Sequence, residues 1–212
     1  MKEDREQVRL QDKINKIIQD KVDLNEEVIL ELGCGQYKKI KNSITVDLIN
    51  YKDVDICGDI YEVLELIPNG IIDKVYSSHF IEHLYDLPLF MVGLARIMKK
   101  NGVIDFYAPH FSNPYYFSDP THKTPIGLYT FCYFAECSFF KRKLPTYDTD
   151  IKFDLLKVDL CFKTDRTFFI RAGMKYIFGK LFNIASYTKE LYEDTFCYIF
   201  PCYEIHVVLK RK

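Results

Sequence analysis

Apolar positions along the chain follow two different periods, and the switches between them predict its elements. Between residues 4 and 22 charged side chains surround Val8, Ile14, Ile17 and Ile18. Spacing of that kind predicts an amphipathic leading helix within residues 1–25, packed by its apolar face on a domain running from 26 to 212. Short apolar runs then alternate with amphipathic segments: strands at 28–32, 44–48, 54–57, 71–77 and 103–108, and helices near 60–66 and 85–99. The second helix is expected to stop at Lys99-Lys100-Asn101-Gly102. Alternation of strand and helix implies a parallel sheet with right-handed crossovers. Residues 109–124 carry Pro109, Pro114 and Pro120 with no apolar period, and read as a long loop leaving the fifth strand. Loops of that length in compact domains are more often functional than idle. An aromatic-rich helix is expected over 126–142, and strands over 152–162 and 203–209. Residues 168–192 mix aromatics with lysines; ordinary packing is the expected role, with a membrane-surface helix as the other reading.

The first strand, Val28-Ile-Leu-Glu-Leu32, breaks into Gly33-Cys34-Gly35, and the next, Ile44-Thr-Val-Asp-Leu48, carries Asp47 near its end. Two glycines leave no side chain between backbone and ligand. A carboxylate at the carboxyl end of the neighbouring strand lies within reach of a ribose diol, at the edge where open α/β sheets bind ligands. The pattern predicts a nucleoside-containing cofactor. A dinucleotide fingerprint needs a third glycine, and Lys38 stands in its place. Asp47 also follows sooner than the roughly 20 residues of a dinucleotide site. No phosphate-cradling Gly-x-x-x-x-Gly-Lys-Ser/Thr run occurs. What fits is a nucleoside with a small zwitterionic tail, and S-adenosylmethionine answers that description.

With these residues on the page, the chain resembles the class I S-adenosylmethionine-dependent methyltransferases, and more narrowly a bacterial branch often associated with surface polysaccharide synthesis. The carriers are Glu31-Leu-Gly-Cys-Gly35 with Lys38, Val46-Asp-Leu48, Val54-Asp-Ile-Cys-Gly-Asp-Ile60, Ser78-His-Phe-Ile-Glu-His-Leu84, Arg96-Ile-Met-Lys-Lys-Asn-Gly102, Ala108-Pro-His-Phe-Ser112 and Ser118-Asp-Pro-Thr-His-Lys123. It departs from the usual pattern in lacking the third glycine and in having Asn101 before Gly102. The resemblance implies a Rossmann-like, doubly wound α/β fold: a mostly parallel seven-stranded sheet, its last strand antiparallel, with helices on both faces. It also implies cofactor-binding roles. Glu31, Gly33, Cys34 and Gly35 would line the methionine moiety, Asp47 would accept from the ribose hydroxyls, and Leu48 would pack on the adenine. Asp59 and the backbone of Ile60 would meet the adenine amino edge, and Ser77, Ser78 and His79 would face the sulfonium. Capping is the structural alternative for Asp47 and Asp59.

Composition narrows the partners. Lys plus Arg is 29 and Asp plus Glu 30 in 212 residues, so the broad basic footprint of a nucleic-acid binder is missing. Seven scattered cysteines read as reduced thiols of a cytoplasmic protein. No signal peptide is evident, and no apolar run approaches the ~20 residues of a membrane span, which leaves at most peripheral membrane contact. A homo-oligomer stays open.

If the acceptor is a hydroxyl, a base must take its proton, and histidine is the common choice. His79, His83, His110 and His122 all follow the fourth or fifth strand, whereas His206 lies in the last strand and reads as structural. His122 is the preferred base, oriented by Asp119 in Asp119-Pro-Thr-His122, and His110 is the next candidate. Either can instead pin its loop. His79-Phe-Ile-Glu-His83 also matches an inverted zinc-protease pattern, but His79 belongs to a strand end and would not share a helical face with His83. No metal ligand set is assigned. The expected activity is O-methylation of a sugar hydroxyl in a surface glycan or its precursor. The alternatives are another small-molecule acceptor, through O or N, and a non-catalytic cofactor-binding scaffold.

Overall fold

A computed structural model describes residues 2–144, 152–164 and 167–212. Five α-helices and eight strands appear in it: α1 (Lys2–Asp23), β1 (Ile29–Leu32), β2 (Ile44–Asp47), β3 (Ile56–Cys57), α2 (Ile60–Leu66), β4 (Ile72–Ser78), α3 (Leu87–Ile97), β5 (Met98–Pro109), β6 (Ala135–Glu136), β7 (Phe153–Cys161), α4 (Phe169–Phe182), α5 (Ser186–Leu191) and β8 (Glu204–Arg211). The strands hydrogen-bond in the order β3-β2-β1-β4-β5-β8-β7-β6, a mostly parallel sheet with one antiparallel strand. The expected α/β architecture is present, with eight strands where seven were expected; the addition is the two-residue β6 beside β7.

The chain divides into two compact units. The first comprises Met1–Ser78, Pro88–Asp105 and Arg211–Lys212. Its parallel register runs Leu32↔Val46 and Leu32↔Ser77, with Asp47↔Cys57 beyond. The carboxyl ends of β1, β2 and β4 therefore share one edge. Val28, Leu30, Leu32, Ile44, Val46, Ile56, Ile72 and Val75 are all buried. β-branched and leucine side chains of this kind, covered on both faces, are what a central parallel strand requires. Helix α1 buries Ile14 and Ile18 and leaves Val8 exposed, so one stripe does the packing. Helix α2 starts where expected, because the Asp59 carboxylate accepts from Tyr61 N–H (2.8 Å) as its N-cap.

The strand expected from 103 begins at Met98, and Asn101 is held at φ 67° within it. Helix α3 accordingly ends at Ile97 rather than at 99. Lys99 faces Asp73 (2.8 Å) instead of capping the helix.

The second unit comprises His79–Leu87 and Phe106–Lys210. The helix expected over 126–142 does not form: a 3-10 turn, Thr130–Tyr133, and β6 stand there instead. Aromatic apolar runs do not by themselves distinguish strand from helix. Here Phe131 and Ala135 are buried while Glu136 is exposed, and the segment docks as irregular backbone. Helix α4 also departs from ordinary packing. Phe182 is its one buried residue, with Phe178 packed beside it, and Phe169, Ile170, Tyr176 and Ile177 stay exposed. Only the 178/182 stripe faces the cluster of Leu160, Tyr192, Cys197 and Cys202. No described helix is long and apolar enough to cross a membrane.

Candidate functional site

In the first unit the turn after β1 is built for close backbone approach. Gly33 and Gly35 adopt φ 65° and 60°, values that side chains resist. Gly33 N–H reaches Val46 O (2.9 Å), and Gly35 N–H donates to Asp47 Oδ2 (2.8 Å). Asp47 Oδ1 accepts from Ile49 N–H (2.9 Å). A Cβ placed on Gly35 would meet nothing within 4 Å, so glycine here serves the backbone conformation and the open space beside it, not internal packing. Next to Asp47, Leu48 and Ile49 expose 71% and 55% of their surface, an apolar shelf at the strand edge. A carboxylate, bare backbone and an apolar shelf are the donor set that a ribose, a short zwitterionic tail and a purine need, so the residues present fit S-adenosylmethionine.

Several expected cofactor residues already have partners within the fold. Glu31 is 1% exposed, and its carboxylate accepts from Lys39 N–H (2.8 Å), Ile40 N–H (2.9 Å) and Ser43 Oγ–H (2.9 Å). It fixes the loop behind the turn. Cys34 is buried, and burial followed by the charges of Asp47 and Glu31 pushes its thiol up to about 11; it offers backbone only. Lys38, at the missing glycine position, points to Asp55 (3.4 Å). Asp59 caps α2, and Ile60 is the first, buried residue of that helix. Ser77 is fully buried, on the same side of the strand as Val75, and Ser78 is half-buried.

His79 follows directly in sequence but belongs to the second unit, where it sits at φ 57°. Its Nε2 meets Glu204 Oε2 (3.2 Å), and its Nδ1 lies 3.6 Å from Glu82 Oε1. The hydrogen bond to Glu204, then the nearby Glu82 carboxylate, raise its pKa to about 9, which favours the imidazolium at neutral pH. Glu204 is buried, which opposes ionisation, yet His79 and Lys163 hold its carboxyl below the usual range. Around this pair lies a cavity of about 590 Å³, lined among others by Tyr115, Tyr203, Phe168, Lys163, Arg171 and Lys175. Burial and then Arg171 lower the Lys175 ammonium pKa.

Of the two expected bases, His110 is fully buried with both nitrogens engaged: Nδ1 accepts from Ser112 N–H (3.1 Å) and Nε2 meets Glu193 Oε2 (3.1 Å). Both of its ring nitrogens are thus committed to partners within the fold. His122 is different. Its Nδ1 donates to Tyr116 O (2.7 Å), which leaves a lone pair on Nε2. Asp119 does not orient it by a hydrogen bond, since Oδ2 stands 3.6 Å from Nε2. Asp119 instead accepts from Thr121 Oγ1 (2.6 Å), and Thr121 meets His83 Nδ1 (2.9 Å). Backbone bonds clamp this group: Lys123 and Thr124 N–H both reach Glu82 O (2.7 and 3.0 Å). His79 and His83 do not share a helical face, because only the latter lies in the 3-10 turn Ile81–His83.

Neither a scan against protein families nor a sequence search of curated proteins finds a match. Solved structures do match. A SAM-dependent methyltransferase from Archaeoglobus fulgidus is 18% identical, with a TM-score of 0.52 over 88% of this chain and 86% of that one. The YcgJ protein from Bacillus subtilis is 14% identical, with a TM-score of 0.50 over 93% and 98%. Phosphoethanolamine N-methyltransferase 2 from Haemonchus contortus, solved in complex with S-adenosyl-L-methionine, is 14% identical, with a TM-score of 0.52 over 88% of this chain and 48% of that one. These likenesses establish the fold, which is that of S-adenosylmethionine-dependent methyltransferases.

Proposed function

We propose that the chain is an S-adenosylmethionine-dependent methyltransferase acting on a hydroxyl of a sugar-containing acceptor, in a surface glycan or its precursor. The reading rests on one observation: Asp47 binds Gly35 N–H at the carboxyl edge of β1 and β2, beside a glycine with open space next to it. Gly33 and Gly35 would leave room for the methionine tail, Asp47 would take the ribose hydroxyls, and Leu48 would support the adenine. Asp59 and Ile60 keep their proposed place at the adenine edge as the start of α2. The cofactor supplies a methyl group already activated on sulfur, and the protein has to align the acceptor and exclude water.

The second unit supports the acceptor class. Tyr115, Tyr203 and Phe168 offer faces for a sugar ring, and Arg171 and Lys175 offer charge for a phosphate, as in a nucleotide- or lipid-linked precursor. A hydroxyl must lose its proton in the reaction, and the lone pair on His122 Nε2 is the group proposed to receive it. All seven cysteines are free thiols, which supports a reducing, cytoplasmic setting. Calorimetry with S-adenosylmethionine is the first test, and absence of binding at micromolar protein removes the enzyme reading. A screen of nucleotide sugars and small metabolites with methyl-labelled cofactor is the second. Label entering only an amine acceptor removes the hydroxyl reading.

A further inference from the structure

We propose that Glu82, His83 and His122 form a binding site for a single divalent transition-metal ion of the kind that takes mixed nitrogen and oxygen ligands. One ligand atom from each lies within 4.8 Å of the others, with Glu82 buried, His122 half-buried and His83 exposed. His83 Nε2 stands 4.0 Å from Glu82 Oε1. An ion with bonds of about 2.1 Å would draw these donors somewhat closer, within the reach of side-chain rotation.

Three independent features make this more than a chance grouping. The first is tautomer control. His122 Nδ1 is committed as a donor to the Tyr116 carbonyl, so Nε2 carries the lone pair. Thr121 Oγ1 donates its proton to Asp119 Oδ1, so it can only accept from His83 Nδ1–H, and His83 Nε2 also carries a lone pair. Outer hydrogen bonds of this type are what aim metal-binding imidazoles. The second is an orphaned buried oxygen. Glu82 is 1% exposed, and its Oε2 is buried with no hydrogen-bond partner. His79 is 3.6 Å from the other oxygen and hydrogen-bonded to Glu204, so its approach leaves Oε2 itself without a donor. A buried carboxylate oxygen without a donor is costly, and a cation removes that cost. The third is rigidity. The backbone bonds from Lys123 and Thr124 to Glu82 O, and from Thr124 Oγ1 to Leu84 O (2.8 Å), hold the two ligand segments together before any ion arrives.

Two imidazoles and one carboxylate leave open coordination positions, the ligand set of catalytic rather than closed structural sites. An ion there would occupy His122 Nε2 and take over from that lone pair the task of activating a hydroxyl, by making a bound one more acidic; only this catalytic role rests on the proposed function given above. Asp119, with Oδ2 3.6 Å from His122 Nε2, stands at the rim as a further oxygen donor.

The test is titration of chelator-stripped full-length protein with Co²⁺, read by visible absorption. One equivalent is expected to give ligand-field bands without the near-ultraviolet band of thiolate ligation. His83→Ala and His122→Gln should each weaken binding at least ~10-fold, and Thr121→Val, which frees the His83 tautomer, should weaken it several-fold. His83 is exposed, so its variant is expected to fold; circular dichroism and an S-adenosylmethionine titration check this. No bands, or bands that carry the thiolate signature and persist in His83→Ala, overturn the proposal. Cobalt binding without S-adenosylmethionine binding would instead sink only the cofactor reading.

Discussion

Glu31 gives the sharpest test of how the first unit holds its turn. Its carboxylate accepts three hydrogen bonds while 1% exposed, so replacement by alanine strips an acceptor from Lys39 N–H, Ile40 N–H and Ser43 Oγ–H together. Hydrogen bonds to a charged group contribute ~1.5–3 kcal/mol each, and water can replace those at the solvent side. Lys39 is exposed and Ile40 half-exposed, so their donors recover part of the loss, and Ser43 keeps its bond to Ile40 O (2.8 Å). The expected cost of Glu31→Ala is therefore about 3 kcal/mol, out of the ~5–15 kcal/mol typical of a domain. Glu31→Gln keeps one acceptor oxygen but turns an amide N–H toward a backbone donor, and should cost about 1–2 kcal/mol. Urea denaturation measures both. A positioning residue also predicts a split readout: Gln should retain S-adenosylmethionine affinity within a few-fold, because the turn survives. A Glu31→Ala protein within ~0.5 kcal/mol of wild type would refute the anchoring role. A Gln variant of full stability that binds no cofactor would show direct contact instead.

Three further outcomes are expected. Asp47→Ala removes the proposed ribose acceptor, and two lost charge-assisted bonds of ~1.5–3 kcal/mol each predict at least ~100-fold weaker S-adenosylmethionine binding by calorimetry; unchanged affinity would remove Asp47 from the cofactor site. His79 has its pKa raised to about 9 by Glu204 and Glu82, so the stability it adds is fully present below its ordinary value near 6.5 and is lost as pH rises through about 9. Urea midpoints measured in chelator from pH 6 to 10 should fall for wild type and fall less for His79→Asn, which tolerates the left-handed φ; parallel curves would refute the coupling. A hydrogen bond from Cys132 lowers the Cys137 thiol below its ordinary value, so limiting iodoacetamide at pH 7 should label Cys137 before the more exposed Cys57, as read by peptide mass spectrometry.

The sequence was most legible where local chemistry and tertiary demand agree. The runs at 28–32 and 44–48 became β1 and β2 because β-branched and leucine side chains there are buried on a central sheet. Helix α2 began at its Asp59 cap. Legibility failed where a segment's partners are distant. Residues 126–142 carry apolar aromatics at no decisive period, and packing of Phe131 and Ala135 chose turn and short strand over helix. The chemistry follows the same division. Gly33, Gly35 and Asp47 could be located from one strand-turn-strand pattern. The partners of the histidines could not: His79 pairs with Glu204 across 125 residues, and His83 meets Thr121 across 38. His79, His83, His110 and His122 all follow the fourth or fifth strand, and only tertiary contacts separate an imidazolium, a buried structural ring and two lone-pair donors.

The charges of the second unit explain why those four roles diverge. Glu82 and Glu204 are both nearly inaccessible, a costly arrangement unless cations accompany them. Among the described residues Glu204 has two, Lys163 and His79, whereas Glu82 has longer approaches from the same His79 (3.6 Å) and from His83 (4.0 Å). The unequal sharing leaves one carboxylate oxygen of Glu82 without a partner beside His83 and His122. The protonated His79 also cannot supply its missing charge by moving, because doing so would abandon Glu204, which is equally buried. Two ring nitrogens aimed by their outer hydrogen bonds beside a carboxylate oxygen without a donor offer a dication three ligand atoms at once. Replacing Lys163 by methionine offers a test of this balance. With Lys163 gone, His79 should be drawn toward Glu204, Glu82 should lose its remaining compensation, and Co²⁺ should bind more tightly than to wild type. Weaker cobalt binding in Lys163→Met would show that the two carboxylates do not compete for His79, and the charge account of the site would fail.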